Sequence, residues 1–155
     1  MAAFSDLWSH HPANDEPPLL SPCTNNQGAP AFANQCAIRM GVCLTRSGIS
    51  LVSYRGAFCW YGHGHQHAIR AEELGVWLDS PAATFLDYAE KRMRTARAPI
   101  TAESYANRQG IVLFKNFWGT GNQGDHIDLW DGSEMSHGDP SYFSLSQEVW
   151  FWDLP

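Results

Sequence analysis

The spacing of apolar residues changes along the chain from a helical period to a strand period. Residues 35–47 predict a mostly buried helix, because polar positions form only one narrow stripe, expected to face solvent, at Gln35, Arg39, Val42 and Arg46. Asn34 precedes this helix as a candidate N-cap, and Gly48 follows it at the position where glycine commonly ends a helix. Further helices are predicted over residues 68–78 and 81–94, the last with a proline in its first turn.

From Gly110 onward the apolar residues recur with the short period of strands. Strands are predicted over 111–117, 126–130 and 148–152, and Tyr142-Phe143 is a possible start of another. Helices followed by an antiparallel sheet are typical of an α+β domain rather than of a doubly wound sheet.

Residues 1–33 predict a Pro-rich N-terminal arm packed on a single domain that spans residues 1–155. The chain is 44% hydrophobic with seven Trp, which suffices for the core of one domain. The net charge of −6 argues against a nucleic-acid partner. No apolar run reaches the length of a membrane span, and the N-terminus lacks the pattern of a signal peptide. We therefore expect no membrane insertion, and export by a route that needs no such signal.

Cys36 and His126 are the strongest candidates for catalytic residues. Cys36 falls in the first turn of a predicted helix, where free N–H groups and the helix dipole favour the thiolate form of the nucleophile. Its own N–H is expected to be free for an oxyanion hole. His126 begins a predicted strand after the Gly-rich turn 119–125, from which it could reach the sulfur as a base.

The third residue, which orients the imidazole, is left open by the sequence. His137 and Asp139 follow the next turn and could lie on the adjacent strand. Asp128 shares a face with His126, but same-face neighbours on one strand point in parallel and meet only rarely. A backbone carbonyl is a further alternative.

Several segments resemble the type VI secretion amidase effectors of the fourth family, in the same order along the chain. The matching segments are Asn34-Gln35-Cys36-Ala37-Ile38-Arg39-Met40, Ser47-Gly48-Ile49, residues 67–74 with Trp77-Leu78, residues 124–130, Ser141-Tyr142-Phe143 and residues 148–152. They extend from about residue 34 to the end. The combination of N-x-C-A-I-R-M with H-I-D-L-W is the most specific part.

The resemblance implies a papain-like peptidase fold and a secreted antibacterial peptidoglycan amidase. The implied substrate is the wall peptide stem, cut at the amide between γ-D-glutamate and meso-diaminopimelate. Cys36 would attack, His126 would move the proton, and water would resolve an acyl-enzyme. The resemblance also implies a type VI secretion apparatus, synthesis in the cytoplasm, action in the periplasm of a target bacterium, and a cognate immunity protein that blocks the cleft.

The sequence departs from the family pattern at the third residue. The position of the family's orienting Asp holds His137 here. A neutral imidazole can accept from His126, so His137 is the first candidate and Asp139 the alternative if the hairpin is shifted by two residues.

Other His and Cys residues give weaker signals. The run His63-Gly64-His65-Gln66-His67 is interpreted as a loop near the cleft mouth rather than a metal site, and no metal or cofactor is expected. His10-His11 is expected at the surface. Pairing among Cys23, Cys43 and Cys59 is left undecided. A housekeeping wall peptidase of the same fold, or a non-catalytic module that binds zinc through His63, His65 and His67, would be the alternative functions.

Overall fold

The computed structural model describes residues 2–86, 93–95 and 100–155. Its helices are α1 (Phe4–His10), α2 (Cys36–Arg46), α3 (Ala71–Leu78) and α4 (Tyr142–Leu145). Its strands are β1 (Met93–Thr95), β2 (Gly110–Trp118), β3 (Gly124–Trp130) and β4 (Glu148–Asp153). Short 3-10 turns occur at Pro12–Asn14, Ala102–Tyr105 and Thr120–Asn122. The described helices precede most of the sheet, which gives the predicted α+β class.

The four strands form one antiparallel sheet in the order β1-β4-β2-β3. The central strand β2 is buried from Gly110 to Lys115, because both faces of the sheet are covered. One face packs against α1, α2 and α3 through residues such as Ile111 and Leu113. The other face packs through Val112 and Phe114 against Phe143 of α4. β3 is an edge strand, so its outer backbone groups are available to α2.

Most predicted elements are present with small changes in their bounds. The buried helix begins at Cys36, with Gln35 rather than Asn34 at the N-cap position, and Gly48 follows it with a φ of 78°. The helix predicted at 68–78 begins only at Ala71. The strands β2, β3 and β4 confirm the three predicted strands.

Two predicted elements are wrong. The segment 81–86 forms turns instead of opening a helix, residues 93–95 pair with β4 as a strand, and residues 87–92 of the predicted helix lie outside the described residues. Tyr142-Phe143 begins the short helix α4 rather than a strand. In α4 the aromatic ring of Phe143 is fully buried against the sheet, so apolar character alone did not distinguish helix from strand there.

The N-terminal arm contains a helix that anchors it to the core. Phe4 and Leu7 of α1 are buried in the cluster that includes α2 and α3. The Phe4 N–H also donates to the carbonyl of Pro155 at 2.8 Å, which joins the two ends of the chain. None of the helices in the described part of the chain has the length and apolar character that a membrane span requires.

Candidate active site

Cys36 is the first residue of α2 and lies against the open edge of β3. Its side chain is 3% exposed, and Sγ lies 4.0 Å from the carbonyl oxygen of Asp125. The sulfur therefore has backbone groups of the edge strand on one side and the N-terminus of a helix on the other. This environment combines exclusion of water with dipoles that favour an anion.

The N–H of Cys36 is already hydrogen-bonded, contrary to the expectation that it is free. It donates to Oδ1 of Asn34 at 3.1 Å. The first N–H groups of a helix have no partner within the helix, and the side chain of Asn34 supplies one. An oxyanion could accept from this N–H only if the exposed Asn34 side chain moved away.

His126 on β3 is the partner of the Cys36 thiol. Burial by itself would raise the pKa of Cys36, but the hydrogen bond and charge of His126, helped by the N–H of Ile127 and the charge of Arg39, outweigh burial and lower the pKa. Burial would likewise lower the pKa of His126, but Asp128 and Cys36 outweigh it and raise that pKa to about 9. Each group thus favours the charged form of the other, as in a thiolate–imidazolium pair.

Asp128 is the residue that contacts the other side of the imidazole. Its Oδ2 lies 2.9 Å from Nε2 of His126, which leaves Nδ1 of the ring for Cys36. The carboxylate is 1% exposed, and its Oδ1 accepts the N–H of Leu129 at 2.8 Å. Burial would raise the pKa of Asp128, but His126 together with His11 and this N–H lowers it, so the group is a carboxylate.

The geometry favours Asp128 over His137, the first candidate from the sequence, as the neighbour that orients the imidazole. The backbone N–H of His137 donates to Oδ2 of Asp128 at 3.0 Å, while both His137 and Asp139 are exposed. The hairpin after β3 therefore supports the carboxylate with a main-chain group. Two same-strand side chains can meet here because this N–H and that of Leu129 hold the carboxylate turned towards His126.

Arg39 is buried rather than solvated, which corrects the expectation for the polar stripe of α2. Its side chain is 7% exposed, and Nη1 donates to the carbonyl of Leu20 at 2.8 Å. Arg39 therefore fixes part of the N-terminal arm to the catalytic helix while its positive charge lowers the pKa of Cys36. Arg46 on the same stripe is exposed and pairs with Asp15.

His11 is a site residue that the sequence analysis placed wrongly at the surface. It is 1% exposed, and its Nε2 lies 3.6 Å from Oδ1 of Asp128. Its Nδ1 accepts the N–H of Ala13 at 3.3 Å, so the proton of the neutral ring is on Nε2. Burial is the main reason that the pKa of His11 falls to about 4. The sequence offered one local signal here: Pro12, which follows His11 and begins a 3-10 turn, indicates an ordered backbone at this point of the arm.

Two clefts flank the Cys36–His126 pair. One, of about 380 Å³, is lined by Cys36, Trp118 and residues at the start of α3. The other, of about 480 Å³, is lined by His126, His137 and Tyr142. Asn34 and the half-exposed Trp118 line both clefts and mark the boundary between them. The arrangement can hold an extended substrate with its scissile bond above the sulfur.

The His-rich loop has a more specific arrangement than its sequence indicated. Nε2 of His63 lies close to the sulfur atoms of Cys23 and Cys59, and Nδ1 of His67 lies close to Cys59. His65 is exposed and does not join them. The zinc set His63, His65 and His67 considered from sequence is therefore not brought together.

The sequence matches the family model described as type VI secretion system amidase effector protein 4, Tae4, over residues 32–152. The chain belongs to the Tae4 family. It is therefore an amidase effector of type VI secretion, an enzyme directed against the cell wall of a target bacterium. No curated protein matches the sequence.

Solved Tae4 structures have the same fold. The Tae4–Tai4 effector–immunity complex from Enterobacter cloacae is 22% identical, with a TM-score of 0.71 and coverage of 100% of this chain and 99% of that one. The Tae4–Tai4 complex from Salmonella Typhimurium is 17% identical, with a TM-score of 0.73 and the same coverage. The match spans the N-terminal arm as well as the sheet, and the papain-like fold expected for Tae4 proteins is present.

Proposed function

We propose that this enzyme hydrolyses the amide between γ-D-glutamate and meso-diaminopimelate in wall peptide stems, with Cys36, His126 and Asp128 as its catalytic group. The observation that carries the proposal is a buried group in which His126 lowers the pKa of the Cys36 thiol and lies 2.9 Å from the Asp128 carboxylate. Family membership supports the amidase class, and the two clefts provide room for the peptide on either side of the bond.

The mechanism follows from the charge states of these groups. The Cys36 thiolate attacks the carbonyl carbon, and the proton held on Nδ1 of His126 passes to the departing amine as the C–N bond breaks. Neutral His126 then takes a proton from water, whose oxygen attacks the thioester and releases the carboxylate product. Asp128 keeps the ring oriented and stabilises the imidazolium throughout.

The enzyme would act in the periplasm of the target cell after delivery by the type VI apparatus. Two of the solved relatives are effector–immunity complexes, which supports a cognate immunity protein for this chain. We expect that protein to cover the cleft beside Trp118 and Cys36. An antagonistic role, rather than housekeeping of the cell's own wall, predicts that expression in the periplasm is toxic and that a small partner encoded beside the enzyme relieves the toxicity.

Mass analysis of digested peptidoglycan tests the bond and the nucleophile together. The expected products are stems that end at γ-D-glutamate and fragments with a new diaminopimelate amine. Cys36→Ala should release none of them, whereas Cys43→Ala, which removes another buried thiol of α2, should retain the activity. Cleavage at a different amide, or undiminished cleavage by Cys36→Ala, would contradict the proposal.

A further inference from the structure

Four side chains from distant parts of the sequence converge behind the start of the catalytic helix. Cys23 belongs to the N-terminal arm, and Cys59, His63 and His67 belong to the loop between α2 and α3. Each of the four residues offers one ligand atom, and these four atoms all lie within 4.8 Å of one another. The two cysteines are buried free thiols, while the two histidines are half-buried. We call these four residues the Cys2His2 cluster.

Three sulfur–nitrogen distances within the cluster match the edge of a zinc tetrahedron. Zn–S bonds of about 2.3 Å and Zn–N bonds of about 2.05 Å at tetrahedral angles place S and N ligands about 3.6 Å apart. Nε2 of His63 lies 3.4 Å from Sγ of Cys23 and 3.6 Å from Sγ of Cys59. Nδ1 of His67 lies 3.5 Å from Sγ of Cys59. Nε2 of His63 therefore faces two sulfur atoms at once. A single hydrogen bond would require only one of these contacts, whereas a shared metal ion would require both.

We propose that Cys23, Cys59, His63 and His67 bind one zinc ion as a structural site. Two thiolates and two imidazoles form a donor set typical of zinc, and their four ligand atoms lie within 4.8 Å of one another. Binding would release the two thiol protons, and the thiolates would neutralise the charge of the ion. The backbone N–H of His67 already donates to Sγ of Cys59 at 3.2 Å, a contact that stabilises a thiolate. All four coordination positions would be filled by protein, so the ion would take no part in hydrolysis.

The site would connect the N-terminal arm to the nucleophile. The side chain of Gln35 holds the backbone of Cys23 from both sides, with Oε1 accepting its N–H at 2.9 Å and Nε2 donating to its carbonyl at 2.8 Å. Gln35 immediately precedes Cys36 in the chain. An ion that fixes Cys23 to the loop at 59–67 would therefore also fix the position of the residue before the nucleophile.

Cobalt and zinc binding to the 155-residue chain test the site without any change to its ligands. Reduced Cys36→Ala protein, in which the catalytic thiol can contribute no ligand, is titrated with Co²⁺ and then with Zn²⁺. The expected result is one equivalent bound, with tetrahedral visible bands and a thiolate-to-cobalt charge-transfer band that Zn²⁺ abolishes. Absence of the charge-transfer band would overturn the proposal.

Substitutions then assign the ligands. Zinc binding, measured in competition with a chromogenic chelator, should weaken at least tenfold in each of four variants: Cys23→Ser, Cys59→Ser, His63→Ala and His67→Ala. The matched controls His65→Ala and Cys43→Ser should bind as the parent does.

Equal binding by Cys23→Ser and the parent would overturn the assignment. So would a Cys23–Cys59 disulfide in every chain recovered from the periplasm, because it would remove both sulfur ligands. These readouts are independent of hydrolysis, so they stand or fall separately from the proposed function.

Discussion

His126 and Asp128 lie two residues apart on the edge strand β3 and share a contact of 2.9 Å between Nε2 and Oδ2. Successive same-face side chains on a strand normally stand side by side. Here the N–H groups of Leu129 and His137 hold the carboxylate so that it meets the ring. One short strand therefore supplies both the proposed base and its proposed orienting group, and the following hairpin supplies a backbone donor.

Asp128→Asn should lower kcat at least tenfold, which corresponds to about 1.4 kcal/mol in the barrier. The amide preserves the shape of the side chain but removes the charge that holds His126 protonated. His137→Ala and Asp139→Ala should lower kcat by less than about threefold, because His137 contacts Asp128 through its backbone N–H and both side chains are exposed. Steady-state hydrolysis of a purified muropeptide measures all three variants. A tenfold loss in His137→Ala with an active Asp128→Asn would restore His137 as the orienting residue.

The pH dependence of Cys36 alkylation should reveal a thiolate well below the ordinary thiol pKa of about 8.5. The pKa of Cys36 is lowered, so iodoacetamide should react rapidly at pH values where ordinary thiols are protonated. The pKa of His126 is raised to about 9, so hydrolysis should fall as the pH rises through that value and the proton for the leaving amine is lost. The charge of Asp128 contributes to that rise, so Asp128→Asn should move this alkaline limb to lower pH. An alkylation profile identical to that of a free thiol would contradict the ion pair.

The parts of the fold set by local pattern were predictable, whereas contacts between distant segments were not. The helix at Cys36 and the strands β2, β3 and β4 follow directly from apolar periodicity. The pairing of Cys36 with His126 needed both the helix start and the family motifs. The burial of His11 depends on the arm folding back over β3, and no local period encodes that contact. The spacing C-x3-H-x3-H from Cys59 to His67 was visible, but its fourth member, Cys23, lies in the arm.

His11 should make the folded state sensitive to mild acid. Its folded-state pKa of about 4 lies below the unfolded value of about 6.5, so between these values the unfolded chain binds a proton that the native chain does not. The contribution of His11 to the free energy of unfolding is therefore complete above about pH 6.5 and is lost as the pH falls towards 4. From pH 8 to pH 5 the loss is about 2 kcal/mol.

Urea unfolding of wild type and His11→Gln at both pH values measures this contribution. The glutamine cannot be protonated, so the variant should lose about 2 kcal/mol less than wild type over this interval. His10→Gln, at the exposed neighbouring position, is the matched control and should behave as wild type does. An equal loss of stability in wild type and His11→Gln would mean that His11 is not neutral and buried in the folded protein.

Gly124→Ala should disturb the cleft by displacing Trp118. A Cβ at residue 124 would overlap the Trp118 ring, so the indole must move and release its hydrogen bond of 2.9 Å to the carbonyl of Asp125. Because Trp118 lines both clefts and is not part of the proposed catalytic group, we expect KM to rise several-fold and kcat to change less. Trp118→Ala should reproduce the effect, and Gly62→Ala, where a Cβ has no neighbour within 4 Å, should not. Wild-type KM in both Gly124→Ala and Trp118→Ala would show that the indole makes no contribution to substrate binding.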